Sequence, residues 1–267
     1  MSLIKEALDF GEKRLKDICD RPRFEAQILL CVACGLDRID LFKTDDAPID
    51  QALYNELITR REQGEPIEYI TGFASFYSRD FLCEFGVLIP RPETELLVDR
   101  VVELSRGFSA PKIAEIGVGC GAICISLAIA VPNASIIGSD INEKAIELTR
   151  KNAARFGVLD RINLIETNML DRVNDNINIL VSNPPYIAAD YPLPKPVSFE
   201  PKNALIGGER GSEILEEIIS LRKPILACEC GYDQESVLSE ALAQNGYKMV
   251  EFYKDYAGLT RGFTAKR

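Results

Sequence analysis

Ile113-Ala-Glu-Ile-Gly-Val-Gly-Cys-Gly-Ala122 is the stretch whose reading decides the fold. Ile113 to Gly117 has the length and apolar content of a buried strand, and Ala122 to Ala130 reads as a helix. Between them Gly117-Val-Gly119-Cys-Gly121 makes a strand-to-helix turn in which a ligand can approach backbone amides. The alternation continues outward. Strands are predicted over 135–139, 162–165, 177–181 and 224–228, and helices over 143–156, 212–221 and 234–245. Two late strand patterns, 247–253 and 262–266, are joined by the turn-rich Asp255-Tyr-Ala-Gly-Leu-Thr-Arg261, so one closing strand should run antiparallel. The expected fold is α/β: a Rossmann-like, doubly wound, mostly parallel seven-stranded sheet with helices on both faces.

Asp140 ends the second predicted strand, about twenty residues beyond the glycines, where a carboxylate can accept hydrogen bonds from both hydroxyls of a ribose. The competing reading makes it a helix cap before Glu143. Glycines and acid together point to an adenosine-containing cofactor, either a dinucleotide or S-adenosylmethionine. The spacing is Gly-x-Gly-x-Gly rather than Gly-x-Gly-x-x-Gly, and Glu115 would repel a pyrophosphate but attract the ammonium of a methionine moiety. S-adenosylmethionine is favoured.

The fourth strand runs into Ile177-Asn-Ile-Leu-Val-Ser-Asn-Pro-Pro-Tyr-Ile187. Pro184 and Pro185 have no N–H to donate and fix φ near about −65°, which makes a stiff, acceptor-rich lip at the carboxyl edge of the sheet. The Asn183 side chain and a Pro184 carbonyl offer two acceptors to one planar NH2 group, and Tyr186 follows to stack on it.

Histidine is absent, which removes imidazole general bases, Ser-His-Asp catalysis and His-ligated zinc. The eight cysteines lie mostly in apolar runs and read as reduced, buried thiols; Cys31-Val-Ala-Cys34 sits in a helical pattern without a second ligand pair, so no metal is expected. A formal net charge of −10 disfavours long nucleic acid as a partner. No apolar run is long enough to span a membrane, and Met1-Ser-Leu-Ile-Lys-Glu6 carries acid too early for a signal peptide, so a cytoplasmic protein is expected.

Upstream, residues 1–64 show apolar positions at spacings of three and four, including Leu3, Ala7, Phe10, Leu15, Ile28 and Leu57, which predicts a small helical bundle punctuated by Pro22 and Pro48. Over 65–87 the pattern becomes strand-like, with Tyr69, Ile70, Phe73, Phe76 and Phe81, and Ser78-Arg79-Asp80 as the turn of a β-hairpin linker. The remaining residues, 88–267, begin with Leu88-Ile-Pro-Arg-Pro-Glu-Thr-Glu95, where Pro92 suits a first helical position and Glu93 and Glu95 favour the positive end of the helix dipole.

Asn183-Pro-Pro-Tyr186 with Glu115-x-Gly-x-Gly-x-Gly121 resembles the amino-methylating branch of the S-adenosylmethionine-dependent methyltransferases. Pro66-Ile-Glu-Tyr-Ile-Thr-Gly72, Leu88 to Glu95, Phe199-Glu-Pro-x-x-Ala-Leu205 followed by Gly207-Gly208, and Glu229 with Gln234 resemble more narrowly the release factor glutamine methyltransferases. That resemblance implies N5-methylation of the glutamine in the Gly-Gly-Gln motif of peptide chain release factors, with S-adenosylhomocysteine as product. By position it assigns Gly117, Val118, Gly119, Cys120, Gly121 and Asp140 to the cofactor and Asn183, Pro184, Pro185 and Tyr186 to the substrate amide. It makes Arg91 and Glu93 site-lining candidates and gives residues 1–64 a docking role. Asn168 stands where the family usually has an acid near the adenine, and Val118 and Cys120 where Thr and Ser are usual. Two rivals remain on the residues alone: an adenine amino-methyltransferase acting on DNA or RNA, and a non-enzymatic cofactor-binding regulator. A monomer is expected.

Overall fold

The computed structural model describes residues 3–41, 43, 48–173 and 176–267. Met1 and Ser2 of the amino-terminal run, and 44–47 within the predicted bundle, lie outside the described residues. The chain forms two compact units, Met1–Phe73 with Pro194–Phe199, and Ala74–Leu193 with Glu200–Arg267.

The first unit contains helices α1 (Leu3–Leu15), α2 (Pro22–Cys34), α3 (Arg38–Leu41), α4 (Gln51–Glu62) and α5 (Ile67–Thr71). Pro22 occupies the first turn of α2, where its missing N–H has no partner to lose, and Gly35 ends that helix in the left-handed region. Leu8, Leu15, Leu29, Leu30, Tyr54 and Ile58 meet in one core. The Tyr54 hydroxyl donates to the Ala7 carbonyl at 3.0 Å, and buried Arg61 pairs with Glu25 at 2.5 Å. Residues 67–71, expected as strand, are helical instead. Pro66 before them and left-handed Gly72 after them mark a one-turn helix, and that punctuation outweighs the preference of Tyr69 and Ile70 for strands.

Strands β1 (Phe73–Phe76) and β2 (Arg79–Leu82) make the expected hairpin, but it turns at Tyr77-Ser78 rather than at 78–80. Both residues have positive φ, 51° and 55°, as a two-residue hairpin turn requires. Tyr77 accepts this conformation while anchored from outside the hairpin: its N–H donates to Glu95 Oε1 at 2.7 Å and its hydroxyl donates to Asp99 Oδ1, with the Glu95 carbonyl 3.1 Å away.

Next come α6 (Thr94–Ser105), β3 (Lys112–Ile116), α7 (Ala122–Ala130), β4 (Ser135–Asp140), α8 (Glu143–Arg155) and β5 (Ile162–Glu166). Pro92 falls in the turn before α6 rather than inside it. The chain continues through β6 (Ile179–Ser182), β7 (Ile187–Ala188), β8 (Ile206–Gly208), α9 (Glu213–Ser220), β9 (Ile225–Glu229), α10 (Glu235–Gln244), β10 (Met249–Lys254) and β11 (Thr260–Lys266). The main sheet has seven strands in the order β10-β11-β9-β6-β3-β4-β5, parallel except for β11, which is antiparallel to both neighbours. β7 and β8 add a short parallel pair that the sequence did not suggest.

Side chains alternate between the two faces of the sheet. Ile113, Ile136, Ile179, Val181 and Ala227 enter the core that includes Leu97, Ile125 and Leu148; Ala114, Ile137, Leu180 and Leu226 enter the core that includes Leu215, Ile219 and Leu238. Central strands covered on both faces read as continuous apolar runs, which is why Ile179–Ser182 and Ile225–Glu229 are buried throughout. From β3 the chain winds out to β4 and β5 and then returns to β6 on the other side. The crevice between β3 and β6 is therefore the switch point at which open α/β sheets bind ligands. Among the described residues, no helix is long and apolar enough to cross a membrane.

Candidate active site

A cleft enclosing, with its mouth, about 830 Å³ opens at the carboxyl ends of β3, β4, β5 and β6. Gly117 and Gly119 line it after β3, Asp140 to Asn142 after β4, Thr167 to Met169 after β5, and Asn183 to Pro185 after β6. Gly86, Val87 and Leu88 close one side, and Pro201, Asn203 and Ala204 another.

The glycine loop works by shape. Gly117, Gly119 and Gly121 all have positive φ, 77°, 55° and 87°, and at Gly117 no atom lies within 4 Å of where a Cβ would stand, so a ligand has room to touch the backbone. Its amides are already engaged: Gly117 and Val118 N–H both donate to the Ser139 carbonyl, at 2.8 and 3.1 Å, and Gly119 N–H donates to Asp140 Oδ2 at 3.1 Å. These three N–H groups are thus bonded within the loop, ahead of the helix N-terminus at Ala122 where the sequence reading placed ligand approach. Asp140 also accepts the Asn142 N–H at 2.9 Å, while Asn142 itself caps α8 by accepting Lys144 N–H. The cap reading of Asp140 therefore gives way to a lining carboxylate. Burial pushes its pKa up from the ordinary value, against the lowering effect of the Asn142 and Gly119 amides.

Asn183 is held from behind. Its Nδ2 donates to Thr94 Oγ1 at 3.1 Å, and Thr94 Oγ1 donates to Glu229 Oε2 at 2.6 Å. The other Glu229 oxygen accepts the Tyr186 hydroxyl at 2.9 Å. Thr94 and Glu229 are only 3% and 1% exposed, so this chain of polar groups is sheltered from water. Burial raises the Glu229 pKa and Glu93 adds to the rise, while Thr94, Tyr186 and the Arg261 guanidinium oppose it. Arg261 is in turn fixed by Asp255 at 2.8 Å. Burial beside Glu229 also pushes the Tyr186 phenol well above its ordinary value, so it serves as a donor.

The lip is also braced through its backbone. Ile187 N–H donates to the Leu205 carbonyl at 2.9 Å, and Gln234 Nε2 donates to the Tyr186 carbonyl at 3.0 Å. Gly207 packs so closely that a Cβ there would stand 2.5 Å from the Pro185 carbonyl oxygen. Buried Glu200 accepts the Ile89 N–H at 3.0 Å and pairs with Arg91, which ties the segment before Pro201 to the Leu88–Glu95 run.

The cleft thus brings together Gly117, Gly119, Asp140, Asn168, Asn183, Pro184 and Pro185 of the predicted set, and leaves Glu115, Val118, Cys120, Gly121, Tyr186, Arg91 and Glu93 outside its lining. Glu115 shares a face of the sheet with Ile113, so it points beneath α7, where Oε2 accepts the Cys124 N–H at 2.8 Å in the first helical turn. It is 1% exposed, and burial pushes its pKa well above the usual carboxylate range. Val118 and Cys120 face the same core, and burial raises the Cys120 thiol to about 12. Tyr186 packs against the core that includes Leu215 and Leu238, with its hydroxyl on Glu229. Arg91 is turned to Glu200. Sequence reasoning gave Thr94 and Arg261 no role. Thr94 lay inside the quoted Leu88–Glu95 run, but nothing local marks its partner.

Residues 6–72 match the family described as the PrmC N-terminal domain, and residues 92–191 match the methyltransferase small domain. A release factor glutamine methyltransferase of Moorella thermoacetica is 37% identical over 99% of this chain and 98% of its own length. One from Agrobacterium fabrum is 34% identical over 92% of this chain and 91% of its own. Among solved structures, the ribosomal protein L11 methylase of Lactobacillus delbrueckii subsp. bulgaricus superposes with a TM-score of 0.51 at 21% identity, covering 69% of this chain and 83% of that one, which shows a shared fold.

Proposed function

The chain belongs to the release factor glutamine methyltransferase family, and on that premise we propose that the cleft places a glutamine side-chain amide of a peptide chain release factor against Asn183 and Pro184. The enzyme methylates N5 of the glutamine in the Gly-Gly-Gln motif. When bound, S-adenosylmethionine supplies a sulfonium methyl for the amide nitrogen and leaves as S-adenosylhomocysteine. The cleft suits that cofactor: Gly117 leaves room for close approach, Asp140 is positioned to accept from ribose hydroxyls, and Asn168 offers an uncharged acceptor to an adenine amine.

An amide nitrogen is a poor nucleophile because its lone pair is delocalised into the carbonyl. Asn183 Oδ1 and the Pro184 carbonyl each accept one amide hydrogen and hold the nitrogen in line for transfer. Positioning can supply about 7–11 kcal/mol, which makes a site without histidine workable. The proton leaves after transfer, once the nitrogen has become acidic. The observation that carries this reading is the Asn183 side chain at the cleft wall, with its nitrogen already bound to Thr94 and its oxygen left to accept.

The test supplies labelled S-adenosylmethionine with release factor, with release factor whose motif glutamine is alanine, and with oligonucleotides. Label in the first sample alone supports the reading. Label in nucleic acid would support adenine methylation, and none in any sample a regulatory protein. We assign release factor docking to residues 1–64, with 65–87 as the linker to the methyltransferase domain, 88–267. Loss of residues 1–64 should raise KM for intact release factor and leave a short Gly-Gly-Gln peptide unaffected; an unchanged KM refutes the assignment. A cytoplasmic monomer fits this partner, and sedimentation at working concentration tests the oligomeric state.

A further inference from the structure

A side-chain amide can present either of two faces. Rotated by half a turn, Asn183 would offer NH2 to the cleft instead of oxygen, and a substrate amide hydrogen would find no acceptor. Something must choose between the two states. Glu229, as a carboxylate, only accepts, so the single hydrogen of Thr94 Oγ1 goes to it, at 2.6 Å. Thr94 then has only acceptor capacity left for Asn183, and only the NH2 end can donate to it, as it does at 3.1 Å. The second Glu229 oxygen is taken by the Tyr186 hydroxyl at 2.9 Å, and Arg261 supplies positive charge nearby.

We propose that Glu229 and Thr94 are positioning residues that fix the polarity of the Asn183 amide, oxygen toward the substrate, with Tyr186 holding the far side of the carboxylate. This rests on the reading of Asn183 as the acceptor of the substrate amide. The direction of each bond follows from the one before it, so the carboxylate sets the orientation of a group it does not touch.

Two substitutions at one position separate polarity from packing. Thr94→Val keeps the shape and removes the hydroxyl; Thr94→Ser keeps the hydroxyl and removes the methyl. If polarity matters, Thr94→Val lowers kcat about tenfold or more, the scale of one unmade buried hydrogen bond, and Thr94→Ser restores it, with KM for S-adenosylmethionine unchanged in both. Activity retained in Thr94→Val and lost in Thr94→Ser would overturn the proposal in favour of packing. A second readout needs no turnover: the side-chain amide resonances of Asn183, identified by their loss in Asn183→Asp. One NH2 hydrogen should be protected from exchange in the native protein, unprotected in Thr94→Val and protected again in Thr94→Ser. Identical exchange in the native and valine proteins would overturn the orientation even if the native chain methylated no release factor, an outcome that would separately remove the functional reading.

Discussion

Replacing Gly207 with alanine tests whether the substrate lip is held from below. A Cβ at this position would lie 2.5 Å from the Pro185 carbonyl oxygen and 2.9 Å from Tyr186 Cα, and would also strike the Gly211 carbonyl. All three are backbone atoms, so no side chain can swing aside. Overpacking a close-packed site costs about 1–3 kcal/mol, and three backbone clashes put this one at the upper end. At about 2–4 °C per kcal/mol, 3 kcal/mol lowers the thermal midpoint by about 6–12 °C. Relief requires Pro185 and Tyr186 to shift, and in a reaction that depends on placement an error of about 1 Å can cost about 10²-fold. Initial rates on intact release factor should therefore fall about tenfold to hundredfold, with cofactor affinity from calorimetry little changed. Gly157→Ala is the control: its φ is 69° and nothing lies within 4 Å of the added carbon, so it costs only left-handed strain, about 1–2 kcal/mol, and no turnover. The reasoning is refuted if Gly207→Ala turns over at the native rate with a midpoint no lower than that of Gly157→Ala.

Asn183→Ala should lower turnover about 10²-fold or more, as does removal of one placed polar group at a reacting centre, and single-turnover rates near native would sink its role. Asp140→Asn should raise the Kd for S-adenosylmethionine about tenfold to hundredfold in titration calorimetry, since hydrogen bonds to a charged acceptor contribute about 1.5–3 kcal/mol. Burial raises the Asp140 pKa above 3.8, so affinity that needs its carboxylate is complete above that raised pKa and falls as pH drops through it. The same shift has the opposite sign for the ligand-free fold, which holds the proton more tightly than the unfolded chain does, so the stability contributed by Asp140 to the free protein falls as pH rises through the raised pKa. An Asp140→Asn protein that binds cofactor as tightly as the native chain at neutral pH would contradict this. Arg61→Ala removes the partner of half-buried Glu25 and should cost about 1.5–3 kcal/mol in urea unfolding, the scale of a hydrogen bond to a charged group, while cofactor affinity stays native.

The parallel sheet and its late antiparallel strand were legible because alternating periods and glycine punctuation are local signals. So was the Asn183–Pro185 lip, whose stiffness follows from adjacent prolines. The facing of Glu115 was also within reach: two residues after Ile113 on one strand, it had to share that residue's side of the sheet. Pro66 and Gly72 likewise bracketed a helix that the aromatic content concealed. What the sequence withheld is long in range. Thr94 and Glu229 are 135 residues apart, and although both lie in motifs that carry the family resemblance, nothing local shows that they pair; only the winding of the sheet brings α6 against the end of β9. The β7–β8 pair is too short to carry a period.

The glycine loop has a consequence for which molecules the enzyme ignores. With the amides of Gly117, Val118 and Gly119 committed to Ser139 and Asp140, and a carboxylate on the cleft wall, a phosphate arriving there finds negative charge and no donor among those three residues. Nucleotides are the most abundant adenosine compounds an enzyme of this fold has to tell apart from its own cofactor. Against a phosphate at this position the engaged backbone amides and the Asp140 side chain act together, one by withholding donors and the other by its charge.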